Sequence, residues 1–311
     1  MLSNFNDLYR GVMLRCPSAS VFLARSWVEF AFRTLWDKRL WSWQRQTAQF
    51  LFPALVNTGT VAVTFGSTTV TGTATGWTTD LVNRQFRIGA TSPIYTIDSV
   101  DTVGQTLTLQ QPWGGTTVSG IGYQIYQAYV TPATDFQSFI SVIDVNFNWS
   151  LLLNVTQEQL NQWDAQRSNS GNAYVIASYD YDSFTTPPLP RFESWPHIKQ
   201  QYVLIYLYTS RPPDLSDPGA SLPRYIRGDV LLEMALAQAA RWPGPSKDAP
   251  NIYFNLALAQ AHDARATRMI YDMEVTDDAI YEQDAWYTNL ASMPMATIPL
   301  GDSRFIQSHD L

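Results

Sequence analysis

Thr60-Val-Ala-Val-Thr-Phe65 alternates apolar and polar side chains, and Thr68-Thr-Val-Thr-Gly-Thr73 resumes the pattern after the turn residues Gly66-Ser67. Four more short runs follow, Gln85–Ile88, Ile94–Val100, Thr106–Gln110 and Gly122–Gln127. Val103-Gly104 and Trp113-Gly114-Gly115 supply further turns between them. Period-two segments rich in β-branched and aromatic residues at this spacing predict strands of a small barrel or sandwich. Between Gly59 and Tyr129 there is no Lys and no Glu. Because both flanks read as helix, the stretch is expected to be an autonomous all-β insert over residues 58–130.

Outward from it, residues 4–15 are amphipathic and stop at Pro17, after which Ser18 or Ser20 can cap the next helix. Residues 20–47 contain no Gly or Pro, which predicts one helix of roughly 40 Å. Ala24, Trp27, Val28, Ala31, Leu35 and Trp36 hold its apolar side. Arg25, Glu29, Arg33 and Asp37 recur every four residues with alternating sign, an i,i+4 ladder that is either a solvated face or a subunit interface.

Beyond the insert, Phe139–Val145 and Tyr174–Tyr179 read as strands, with a short helix at Gln157–Ala165. Gln201–Tyr208 is apolar enough to predict a strand buried on both faces. A Pro-rich loop follows, then Gly228-Asp229 capping Val230–Trp242 and Pro250-Asn251 opening Ile252–Met273. These two Ala-rich helices are expected to lie antiparallel. Residues 292–311 have no period and predict an extended tail. The fold class expected is therefore α+β, a helical core formed by the N-terminal long helix and the C-terminal helix pair, carrying the β insert and the tail. Its parts are 1–57, 58–130, 131–291 and 292–311.

Hydrophobic residues make up 45% of the 311, yet charged residues only 15%, with 11 Trp and 16 Tyr. Three of the 20 basic residues are Lys, so Arg dominates. Trp, Tyr and Arg are what protein interfaces favour, which points to an assembly subunit. A net charge of -7 argues against coating nucleic acid. The single Cys16 excludes a disulfide framework or a cysteine-based zinc site. No apolar run reaches membrane-span length, and the N-terminus lacks a signal-peptide pattern, so a cytosol-like compartment is expected before assembly.

Chemistry is sparse. His197, His262 and His309 have no partner at metal-ligand spacing. Gly66 to Gly72-Thr73 fails as a phosphate loop on spacing and lacks Lys. Asp180 and Asp182 could be paired carboxylates but suit the solvent side of a strand; Asp214 and Asp217 are too few for calcium. The acidic run Glu274, Asp277, Asp278, Glu282 and Asp284 reads as a solvated helix end. No enzyme activity, cofactor or metal is expected.

Phe192-Glu-Ser-Trp-Pro196, Tyr206-Leu-Tyr-Thr-Ser-Arg-Pro-Pro-Asp214, Gly228-Asp-Val-Leu-Leu-Glu233 and Ala240-Arg-Trp-Pro-Gly244, in this order, carry a resemblance. The chain resembles head-to-tail adaptor (connector) proteins of tailed bacteriophages. That resemblance implies a virion neck component: a homo-oligomeric ring, typically of twelve copies, between the portal and the tail or neck proteins. DNA would pass through the channel without specific binding, and no membrane is involved. It further implies docking on the portal through Phe305 and Ile306 of the tail or through Arg211, Asp214 and Asp217 of the Pro-rich loop. The runner-up is an aromatic-rich receptor- or carbohydrate-binding tail component, motivated by Trp77, Trp113, Tyr95 and Tyr123.

Overall fold

A computed structural model describes residues 4–89, 92–182, 185–213, 221–223, 225–246 and 250–288. The described residues hold five helices and fifteen strands. The helices are α1 (Phe5–Arg15), α2 (Val21–Asp37), α3 (Gln157–Asp164), α4 (Gly228–Arg241) and α5 (Leu256–Thr288). The first eight strands are β1 (Arg45–Phe52), β2 (Thr60–Val63), β3 (Thr69–Thr73), β4 (Gln85–Arg87), β5 (Tyr95–Asp101), β6 (Thr106–Leu109), β7 (Val118–Ile121) and β8 (Gln124–Tyr126). The rest are β9 (Tyr129–Val130), β10 (Phe136–Asp144), β11 (Trp149–Ser150), β12 (Leu152–Val155), β13 (Val175–Asp182), β14 (Leu189–Trp195) and β15 (Tyr202–Ser210). The chain divides into a helical unit, Met1–Gln44 with Pro212–Leu311, and a β unit, Arg45–Arg211.

This corrects the expected fold class. The molecule is mostly β, with three sheets of four, four and seven strands, and is not a helical core with a small barrel inserted into it. Two misreadings account for the difference. The long helix stops at Asp37 instead of running to 47. There the Trp41 indole N–H donates to the Leu35 carbonyl at 2.9 Å and the Gln44 amide donates to Trp36 O at 2.7 Å, so side chains satisfy the final turn. From Arg45 the apolar period changes to two, with Phe50 and Phe52 buried and Gln49 and Leu51 exposed, and the segment becomes β1. Residues 131–210, assigned to the helical core from sequence, belong to the β unit.

In the helical unit, Asn4 and Ser20 cap α1 and α2 through their side chains. Ala24, Val28, Ala31, Phe32, Leu35 and Trp36 of α2 form its buried stripe, and the small buried faces of Ala235, Ala239 and Ala240 let α4 pack closely. Asn251 ties the unit together, its amide donating to Ala239 O at 2.9 Å and Trp242 O at 2.8 Å. Its carbonyl accepts from the buried Cys16 thiol at 3.2 Å.

The seven-stranded sheet of the β unit has the order β7-β2-β3-β6-β5-β4-β8. Only Gly122-Tyr123 separates β7 from β8, so one bent segment pairs with β2 at one end and β4 at the other and curls the sheet shut. Val61, Val70, Trp77, Phe86, Ile97, Leu107 and Ile125 fill its interior. Gly72 is obligatory at one close approach, since a Cβ there would sit 2.5 Å from Thr75 Oγ1 and 2.8 Å from the Trp77 ring. The remaining sheets, β1-β15-β10-β11 and β12-β13-β14-β9, share a core in which Phe50, Phe136, Val142, Ile176, Leu204 and Tyr206 meet. Parallel β12 and β13 are joined through α3, as a parallel pair requires. In β15, Tyr202, Leu204, Tyr206 and Tyr208 are buried, but Val203 is 38% exposed. The strand is therefore covered on one face, not on both as its composition predicted.

Candidate functional site

On α2 the expected ladder divides. Arg33 donates to Glu29 at 2.7 Å, an exposed pair. The Arg25 guanidinium instead lies over the Tyr9 ring, 5.0 Å from its centroid, and Asp37 is exposed at the helix end. At helical spacing Glu29 and Arg33 share their outward face with Phe22, which is 81% exposed, and Phe30. Of the loop candidates, Arg211 is exposed and its backbone N–H donates to Asp135 O at 2.6 Å. Asp214, Asp217, Phe305 and Ile306 lie outside the described residues. The acidic run on α5 corrects its solvated reading in part. Asp277 is buried and accepts from the Ser42 backbone N–H at 3.1 Å, and Lys38 reaches Glu274 at 3.1 Å.

The β unit buries a polar seam where the barrel meets the sheet that follows it. Arg87, at the end of β4, donates to three carbonyls: Ser92 at 2.8 Å, Arg167 at 2.7 Å and Gln166 at 2.5 Å. Gln85, two residues earlier and so on the same face, accepts from the Ala128 N–H at 2.8 Å. Beyond them Arg167 Nε donates to Glu193 Oε1 at 2.6 Å, and His197 Nε2 lies 3.0 Å from the same oxygen. Burial alone would push the Glu193 carboxyl up, but the hydrogen bonds and charges of His197 and Arg167 outweigh it and hold it below the ordinary Glu range. Burial and the Arg87 charge lower the Lys199 ammonium, and burial raises the Tyr126 hydroxyl to about 12. Arg191 grips Asp180 with two bonds of 2.6 Å and reaches Asn83 of the barrel at 3.0 Å. Asp182 is buried, accepting from Thr131 Oγ1 at 2.8 Å and Asn83 Nδ2 at 3.2 Å, so it does not decorate a solvent face. These bonds tie the barrel to its neighbour within the β unit.

No protein-family model matches this chain, and no curated protein matches it. Its function is read from its own surfaces and clefts. Trp77, Trp113, Tyr95 and Tyr123, the aromatics that motivated a carbohydrate-binding reading, are all buried in the barrel core. Trp77 Nε1 donates to the Tyr123 hydroxyl at 2.8 Å, which in turn donates to Thr58 O at 2.7 Å. They present no ring to a ligand.

Two features not anticipated from sequence take their place. The outer face of the β1-β15-β10 sheet exposes Leu51 paired with Val203, and beside them Ile143 paired with Ile205. Secondly, a groove of about 530 Å³ runs between α3 and the 92–94 loop of the barrel, floored by Arg167 and Glu193. Among the described residues no cluster of three His, Cys, Asp or Glu could hold a metal. The groove's signal in the sequence was an ionisable residue, Glu193, in the aromatic-rich strand Leu189–Trp195, which carries Arg191 as well.

Proposed function

We propose that this protein is a structural subunit of an oligomeric ring that joins the portal of a tailed phage to its tail. The observation that carries the reading is a pair of open apolar faces on secondary-structure elements, Phe22 and Phe30 beside the Glu29–Arg33 pair on α2, and Leu51, Val203 and Ile143 on the β sheet. Apolar surface of this kind is stabilised by being covered, and a low-charge, Trp-rich composition suits a subunit that covers it with copies of itself. The resemblance in Phe192–Pro196, Tyr206–Asp214, Gly228–Glu233 and Ala240–Gly244 supplies the kind of assembly. In such a ring of about twelve copies, a channel wall with this protein's charge of -7 per chain would pass DNA by repelling phosphate. Phe305, Ile306 and the Arg211–Asp217 loop are the docking elements proposed for the portal. The test is the native mass of the purified full chain, alone and mixed with portal rings. Discrete rings, or discrete ring–portal complexes, are expected; a monomer under both conditions overturns the reading.

A further inference from the structure

We infer that the groove between α3 and the barrel loop is a binding site for a short neutral oligosaccharide. One wall is Tyr179, 42% exposed. Its ring stacks on Tyr129 with centroids 3.9 Å apart and planes 11° from parallel. The Arg191 guanidinium lies 5.8 Å from the Tyr179 ring centroid and 5.6 Å from that of Tyr129, and is itself locked to Asp180. The ring is thus held in place before any ligand arrives, so little rotamer entropy remains to be lost on binding. A fixed aromatic face suits the C–H face of a sugar ring.

The polar groups fit the same ligand. Asn161 of α3 and Gln166 just beyond it line the groove and are exposed. Each amide both donates and accepts, as each sugar hydroxyl does. The floor contributes a buried carboxylate with capacity to spare. Glu193 Oε1 takes the bonds from Arg167 and His197, at 2.6 and 3.0 Å, whereas Oε2 has only a 3.5 Å contact from Arg167 Nη2. A short bond from a ligand hydroxyl would satisfy it. Charge sets the class: among the described residues, Arg167 and Glu193 are the only ionic side chains lining the groove, and they pair with one another. Neither a phosphate nor an amine finds an unpaired counter-charge among these lining side chains. The volume, about 530 Å³, lies within the roughly 300–1,000 Å³ of small-ligand sites.

The inference stands apart from the ring reading, because the groove belongs to the β unit alone and its test does not depend on assembly. Calorimetric titration of the full chain with maltotriose, cellotriose and chitotriose should give saturable binding to at least one. Tyr179→Ala should weaken that binding roughly tenfold, as loss of an aromatic contact implies. Asn161→Arg, which projects a long cation into the groove from an exposed position on α3, should abolish it even if Tyr179→Ala perturbs folding. Trp163→Ala, at an exposed α3 position that does not line the groove, should bind as the unmodified protein does. The inference is overturned if none of the three sugars binds at millimolar concentration, or if Asn161→Arg binds undiminished. Preferential saturable binding of inorganic phosphate or an alkylamine overturns it equally.

Discussion

The helical unit and the β unit are built by different rules. In the first, apolar stripes at helical spacing do most of the work of specification, and a few polar side chains, Asn251 and Asp277 among them, tie loops to the helices. In the second, the barrel has its own apolar interior, yet it is bound to the next sheet through buried Gln85, Arg87, Arg167, Arg191 and Glu193. Buried ionic groups are tolerated only when each keeps its partners. The β unit therefore depends on pairings far apart in the chain, and the helical unit on patterns close together.

The contrast is broken most severely at Glu193. Glu193→Ala leaves Arg167 buried without its carboxylate, and a loss of about 3–5 kcal/mol in a urea melt is expected. A loss below about 1 kcal/mol would mean that the seam holds little energy.

Acid should probe the same pair more gently. The folded Glu193 carboxyl titrates below its ordinary value of 4.5, so its stabilising contribution is complete above that value and disappears as pH falls through the lowered one. Glu193→Gln should therefore flatten the fall in melting temperature below about pH 4.5 relative to the unmodified protein. An unchanged acid limb in that variant would show that other carboxylates carry it.

Among its described residues the helical unit has one comparable buried carboxylate, Asp277. Asp277→Ala strips the Ser42 N–H and hydroxyl of their acceptor and should lower stability by about 1–3 kcal/mol. Smallest in stability terms is Glu29→Arg on α2, where an exposed pair contributes only about 0–1 kcal/mol. Under the ring proposal, this variant should melt normally yet fail to form rings by native mass. Rings of unaltered size would remove α2 from the interface.

The same contrast explains how much could be read in advance. The apolar stripes of α1 and α4 and the alternation of Thr60–Val63 and Thr69–Thr73 are local signals and stand where sequence periodicity puts them, although Gly228 and Asp229 lie inside α4 and its N-cap, Arg227, makes no side-chain capping bond. The fold class did not follow, because nothing in composition marks where residues 20–47 leave helix for strand. Trp41 and Gln44 end the helix by reaching back six and eight residues to its carbonyls. The groove was hidden for a stronger reason. Arg167 and Glu193 are 26 residues apart, and Arg191 and Asn83 are 108 apart. No spacing rule links such pairs. Aromatic residues misled in the other direction, since the loops between strands can equally supply a core, as Trp77 and Trp113 do.

Hydrogen exchange of the full chain across a urea titration tests most directly whether the barrel and the following sheets are one folding unit. Amides of β3 and β6, inside the barrel, can be compared with those of β13 and β14 across the seam. A single midpoint shared by both sets is expected, because unfolding either side strands Arg87, Arg167 and Glu193. Separate midpoints, with the barrel opening or persisting on its own, would contradict a seam that holds them together.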